Sequence, residues 1–219
     1  MNQRALIAEF IGTLALIYIG VGSIASSFIV GVQSSLVGIA LAHGLVIAVM
    51  VSATAGISGG HLNPAVTIGL LAARKIDPMS ALQYVIAQCL GAIVGAILII
   101  VTVPPAIVSA TRLGIPALGL GVTPFMGLIA EIILTFFLVF VVYGTAVSKH
   151  APKMSGLFIG LTVTLDILVG GPLTGAAMNP ARHLGPALVS GNFENIWLYW
   201  VGPVIGGILA AVLYQRKIE

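Results

Sequence analysis

"SGGHLNPAVTIGLL", residues 58–71, interrupts a chain that is otherwise almost continuously apolar. Two glycines, a histidine, an asparagine and a proline stop the run, and the apolar stretch that resumes is too short to cross a membrane. "GAAMNPARHLGPAL", residues 175–188, makes the same stop. One physical explanation has to serve both.

Around these stops, 59% of 219 residues are hydrophobic, 7% are charged, and mean hydropathy is +1.16. A soluble domain carries roughly 25% charged residues, so the chain reads as an integral membrane protein, all-α. Its one cysteine, Cys89, excludes an intramolecular disulfide. The four histidines, His43, His61, His150 and His183, lack paired ligand spacing, so no metal and no cofactor is expected. The first apolar run continues to about Val30 with Glu9 inside it, which fits a retained span and not a cleaved signal peptide.

A bilayer core of about 30 Å needs roughly 20 residues of helix. Six stretches approach that length: about 5–28, 36–56, 82–103, 125–147, 155–170 and 196–214. Two pieces are left over, about 64–73 and 180–189, each spanning about half the membrane. An even number of spans puts both termini on one side. Arg4, Arg74, Lys75, Lys149, Lys153, Arg216 and Lys217 then share that face, with Arg112 and Arg182 opposite. By the positive-inside rule both termini are cytoplasmic, the first short piece enters from the cytoplasm and the second from outside.

An internal repeat supports this opposition. "AEFIGT" from Ala8 matches "AEIILT" from Ala130, "LNPA" from Leu62 matches "MNPA" from Met178, and "YVIAQCLGAI" from Tyr84 matches "YWVGPVIGGI" from Tyr199. The expectation is one domain over 1–219, built from repeat 1 (about 1–110) and repeat 2 (about 120–219). With three spans and a half-helix per unit, the two copies are inverted and function falls at the midplane between them.

Irregular backbone at that depth needs protein or a water-filled cavity around it. Gly59 and Gly60 permit a tight turn. Asn63 then stands at a helix N-cap with Pro64 at the first helical position, followed by Ala65; Asn179, Pro180 and Ala181 repeat the pattern. Each stop starts a half-helix with its positive end at the membrane centre. Head to head, they offer two amide donors, two partial positive charges and free carbonyls from the preceding loops. Such a centre turns a passing water's oxygen toward the amides and disfavours cations and proton hopping.

Two Asn-Pro-Ala motifs at inverted-repeat positions among six spans resemble the aquaporin, or major intrinsic protein, family across the whole chain. The pattern is closest to archaeal and plant vacuolar-type members. The resemblance implies a right-handed bundle of six tilted helices and two half-helices, one pore per subunit, and a homotetramer embedded in membrane lipid. It also implies a selectivity filter formed by His43, Ile167, Ala176 and Arg182, the motif itself fixing the last. Arg182 supplies positive charge and donors, the alternative being a loop clamp bonded to carbonyls. His43 is either a filter residue or a packed histidine.

Strictly water-selective members pair an aromatic residue with a second histidine, and glycerol facilitators use two aromatics; this chain has neither. Ile167 and Ala176 imply a wider, more apolar opening. The expected function is a passive channel for water that also admits small neutral solutes such as ammonia, hydrogen peroxide, urea or glycerol, and excludes protons and ions. A glycerol-type facilitator is the alternative. Against it, His183, Ala187 and Tyr199–Trp200 stand where facilitators carry an Asp, a basic residue and a Pro. A cysteine that confers mercury sensitivity on some relatives is replaced by Ala176.

Glu9 and Glu131 are intramembrane carboxylates, functional suspects by default. Matched across the repeat, each is expected to accept N–H bonds from its own unit's loop; a proton relay is the other reading. Asp166 is rotated about 100° from Ile167 and is expected to bond loop backbone or face a neighbouring helix. His61 is placed at the cytoplasmic pore mouth, its carbonyl a pore acceptor or its side chain a loop anchor. His183 is expected to pack against the loop between the repeats, and His150 to be a solvated loop residue. Gly91 with Gly95, and Gly202 with Gly206, permit close helix crossings.

No nucleophile and base form a constellation, so no enzyme is expected. The positive charges follow topology and not a patch, so no nucleic acid is expected either. A coupled transporter and a structural membrane protein are the competing classes. The short termini favour a prokaryotic cell membrane, with a vacuolar membrane as the alternative.

Overall fold

A computed structural model describes residues 2–31 and 35–219. Most helices start on a side-chain cap or a proline. Asn2 opens α1 (Gln3–Ile29), Ser35 opens α2 (Leu36–Ser58), and Asn63 with Pro64 opens α3 (Pro64–Ala72). Asp77 opens α4 (Pro78–Thr102), and a short α5 (Pro105–Ala110) follows. Thr123 opens α6 (Pro124–Val142), α7 runs Ser155–Thr174, Asn179 opens α8 (Pro180–Ser190), and α9 runs Leu198–Lys217. The oxygens of Asn2, Ser35, Asn63, Asp77, Thr123 and Asn179 each accept a first-turn N–H that has no partner within its helix.

Six of these helices are long and apolar enough to cross a membrane. Large apolar side chains stay exposed on their outer faces, among them Val49, Val101, Phe125 and Leu165, as expected where lipid is the solvent. The crossings depend on small residues. A Cβ on Gly95 would sit 2.8 Å from the Leu14 carbonyl, binding α4 to α1, and one on Gly206 would strike the Ile132 carbonyl where α9 meets α6. Gly44 of α2 likewise faces the backbone of Gly160 in α7.

The half-helices pack across the two halves of the chain. α3 lies mainly on α9, and α8 mainly on α4. A Cβ on Gly69 would come within 2.8 Å of the Gly207 carbonyl, and one on Gly185 would meet the Ala92 carbonyl.

Several boundaries differ from the expectation. The fifth span continues past about 170 to Thr174 with Pro172 inside it; in the last turn that proline forfeits only the bond to Leu168. Asp77 and Pro78 start α4 four residues earlier than the apolar run suggests. The fourth span ends in a wide turn, a π-helix over Tyr143–Val147. Neither α5 nor the 3-10 turn Arg112–Gly114 is legible as an apolar stretch.

Candidate functional site

Each half-helix is entered through a loop braced by one buried carboxylate. Glu9 Oε1 accepts from the His61 N–H at 2.9 Å and the Ser58 hydroxyl at 2.6 Å; Oε2 accepts from the Leu62 N–H at 2.6 Å and Gln88 Nε2 at 2.7 Å. Glu131 does the same in the second half. Oε1 takes the Ala177 N–H at 2.9 Å and the Thr174 hydroxyl at 2.6 Å, and Oε2 takes the Met178 N–H at 2.7 Å. The hydroxyls of Tyr84 and Tyr199 then donate, each at 2.9 Å, to the carbonyls of Ser58 and Thr174. The internal repeat pairs Tyr84 with Tyr199 but carries no sign that both brace loops. Gln88 has no counterpart, because Pro203 occupies the matching position.

Three residues in each loop take left-handed backbone, Gly59 (φ 90°), Gly60 (φ 63°) and Leu62 (φ 50°) in the first, Gly175 (φ 79°), Ala176 (φ 45°) and Met178 (φ 50°) in the second. Asn63 and Asn179 follow. Each uses its carbonyl oxygen to cap its own half-helix, at 2.8 Å to the Ala65 N–H and 3.0 Å to the Ala181 N–H. Each amide nitrogen donates to the opposite loop, Asn63 to the Met178 carbonyl and Asn179 to the Leu62 carbonyl, both at 2.9 Å. The motif pattern suggests free carbonyls from the preceding loops, and among the described residues no hydrogen bond falls on those of Gly60, His61, Ala176 and Ala177. The carbonyls nearest the motifs are occupied, and each amide retains one hydrogen.

Asn63 and Asn179 both border a narrow cavity of about 40 Å³ that also reaches His43, His61, Ile167, Ala176 and Arg182. Its polar lining includes the asparagines, Arg182 and the histidines, with the loop residues Ala176 to Met178 beside them. The rest of the lining is apolar, with Leu16, Ile47, Val66, Leu138, Val163 and Ile167 among it. Beyond His61 it meets a wider vestibule of about 400 Å³, shared with Tyr84 and Lys75.

At the other end Arg182 is held from two sides. Nη1 donates to the Gly114 carbonyl at 3.2 Å, and Nη2 lies 3.4 Å from His43 Nε2. His43 Nδ1 sits 2.8 Å from the Ile39 carbonyl, which can only accept, so Nδ1 carries the proton and Nε2 presents its lone pair to Arg182. Gly20 makes room for that ring, since a Cβ there would overlap Nε2. Gly114 is delivered by three successive left-handed residues, Arg112, Leu113 and Gly114, with Leu113 buried as the anchor. Neither Gly20 nor Gly114 carries a motif that flags it in the sequence.

His61 Nδ1 lies 3.0 Å from the Thr67 hydroxyl, and its ring meets Tyr84 edge-on at 5.2 Å, so its side chain anchors the loop while the residue borders the lumen. Asp166 is buried outside the lumen, with Oδ2 unpartnered among the described residues. His183 stacks on Tyr199 of α9, ring centroids 4.2 Å apart. His150 is exposed. Among the described residues no group of three metal-ligating side chains assembles.

The profile described as major intrinsic protein matches residues 1–214. The chain is 44% identical to Aquaporin TIP4-4 of Zea mays, over 97% of this chain and 85% of that protein. It is 45% identical to Probable aquaporin TIP2-2 of Oryza sativa subsp. japonica, over 98% and 87%. Among solved structures, the aquaglyceroporin from Plasmodium falciparum superposes with a TM-score of 0.90 at 26% identity, covering 100% of this chain and 97% of that one.

Proposed function

The chain belongs to the major intrinsic protein family, and from that premise we propose how its lumen conducts and selects. It is a passive transmembrane channel for water and small neutral solutes. The observation that carries the mechanism is the pair of reciprocal asparagine bonds, Asn63 to the Met178 carbonyl and Asn179 to the Leu62 carbonyl. They hold both half-helix N-termini against one point of the lumen and leave one amide hydrogen on each side.

A water at that point accepts from both amides and turns its own hydrogens away along the pore, toward the loop carbonyls on either side. This breaks the hydrogen-bonded wire that proton hopping needs, and the two dipole ends repel cations. The same account holds for aquaporins in general, and the residues of this chain supply each of its parts. The apolar wall gives a passing molecule nothing to bind, so the polar stripe alone replaces lost hydration.

His43, Ile167, Ala176 and Arg182 act in this reading as the filter. Arg182, fixed by Gly114 and His43, repels cations and donates to a solute's oxygens. The apolar Ile167 and the methyl of Ala176 leave room beside it, which favours passage of glycerol, urea, ammonia or hydrogen peroxide with water. Glu9 and Glu131 serve as loop braces, since every oxygen of both already accepts at least one bond. Both termini lie in the cytoplasm of a cell membrane in this proposal, and four copies assemble side by side in lipid. No step requires a reaction, so the protein works as a channel and not an enzyme.

Stopped-flow light scattering on proteoliposomes tests the reading, with water efflux and glycerol influx recorded for the wild type and for His43→Phe. The expected result is fast water flux, measurable glycerol entry, and glycerol entry reduced about tenfold by the bulkier ring. Flux no greater than in empty vesicles would overturn the channel. Fast water with no glycerol entry in the wild type would overturn the wide filter.

A further inference from the structure

At the end of the bundle that carries the carboxyl terminus, a cavity of about 320 Å³ lies between the foot of α3 and the last turns of α9. It is lined by Ala72, Ala73, Arg74, Val212, Gln215 and Arg216. Neither arginine has an acidic partner among the described residues: Glu219, the acid at this end that forms an ion pair, is engaged by Lys75 at 3.5 Å and by the Lys149 N–H. Gln215 accepts the Tyr143 hydroxyl through Oε1 at 3.1 Å, which leaves its amide nitrogen as the end free to donate. The cavity thus has two charged donors and a neutral one on its walls, a set that suits an anion.

The backbone adds a second observation. Where α3 ends, the N–H groups of Arg74 and Lys75 close back on the carbonyls of Leu71 and Leu70, and Arg74 takes φ 59°. That is the position glycine ordinarily fills at a helix end. Here it holds an arginine, which lines the cavity together with Arg216. Two like charges around one cavity favour a counter-ion between them.

Its surroundings indicate the source of the anion. Leu209 and Leu213 of α9 are 52% and 41% exposed, and their spacing from Arg216 puts all three on one helix face. An apolar track therefore leads from the bilayer to the cavity. We propose that this cavity binds the phosphate of an anionic glycerophospholipid, with an acyl chain lying along Leu209 and Leu213. Only the assignment to the cytoplasmic leaflet rests on the orientation proposed above; the binding does not.

The test is native mass spectrometry of the full chain in detergent micelles, titrated with phosphatidylglycerol or phosphatidylcholine. The wild type should retain phosphatidylglycerol in preference. R74Q/R216Q should weaken that retention about thirtyfold, roughly fivefold for each arginine, and R112Q, at the opposite end, should leave it unchanged. Hydrogen exchange on the unmutated protein should show protection by phosphatidylglycerol confined to residues 72–75 and 212–216, a readout that no misfolded variant can distort. Equal retention of the two lipids, undiminished retention by R74Q/R216Q, or protection elsewhere would overturn the proposal. Displacement of the lipid by inorganic phosphate would also do so and assign the cavity to a soluble anion. Wild-type water flux in vesicles of phosphatidylcholine alone tests the channel reading separately.

Discussion

Glu131 shows how much one side chain supports. It accepts two backbone N–H groups and a hydroxyl from the loop that carries Ala176 to Met178. Glu131→Ala leaves those donors without their acceptor in a buried setting, at a cost of about 3 kcal/mol or more, and a thermal melt in detergent should show a corresponding drop. The same loop holds Ala176 at φ 45°, where the first loop has Gly60 at φ 63°. Ala176→Gly removes the left-handed penalty but frees the unfolded chain, so the net gain should be small, about 0.5 kcal/mol. It also removes a methyl from the proposed filter, so glycerol influx should rise; a fall would mean the Ala176 methyl does not limit the opening. Arg182 is readable at this scale because the motif fixes its place. Gly20 and Gly114 are not, since their importance comes from clearance for a distant ring and from a carbonyl's direction.

The helices are legible in outline because lipid demands long apolar runs, and their ends are not because hydropathy does not register caps. Asp77 illustrates this. Its Oδ1 accepts the Ser80 N–H at 3.0 Å and starts α4 at Pro78, ahead of the apolar run. Donation from Ser80 holds the Asp77 carboxyl below the usual aspartate range. A lowered value means the capping contribution is present above the ordinary range and is lost as pH falls through the folded-state value. Protection of the Ser80 amide from hydrogen exchange should therefore persist at neutral pH and decline only below about pH 4; decline near pH 6 would exclude Asp77 as its source. Thr174 lies beyond the expected end of α7, where a hydroxyl bonded to Glu131 keeps the helix going past Pro172. The π-helical turn Tyr143–Val147 has no hydropathy signature at all.

At the scale of the whole molecule, inverted halves with broken helices also suit a coupled transporter, and the two buried carboxylates decide against it here. Both are occupied as hydrogen-bond acceptors by their own loops, and neither borders the lumen. Glycerol flux through the reconstituted protein should therefore be unchanged when a proton gradient is imposed or collapsed with an ionophore; acceleration by the gradient would revive the transporter. The cross-packing of the half-helices has a further consequence, for synthesis. α3 is made early but lies on α9, which leaves the ribosome much later, and the acceptor for the Asn63 amide, the Met178 carbonyl, arrives just before α8. The first half of the nascent chain thus enters the bilayer with its short helix unbedded and the amide nitrogen of its asparagine unpaired, a state that lipid tolerates poorly. Maturation must wait for α9, so truncations that remove it should leave the earlier loop open to protease digestion even after the other five spans have inserted.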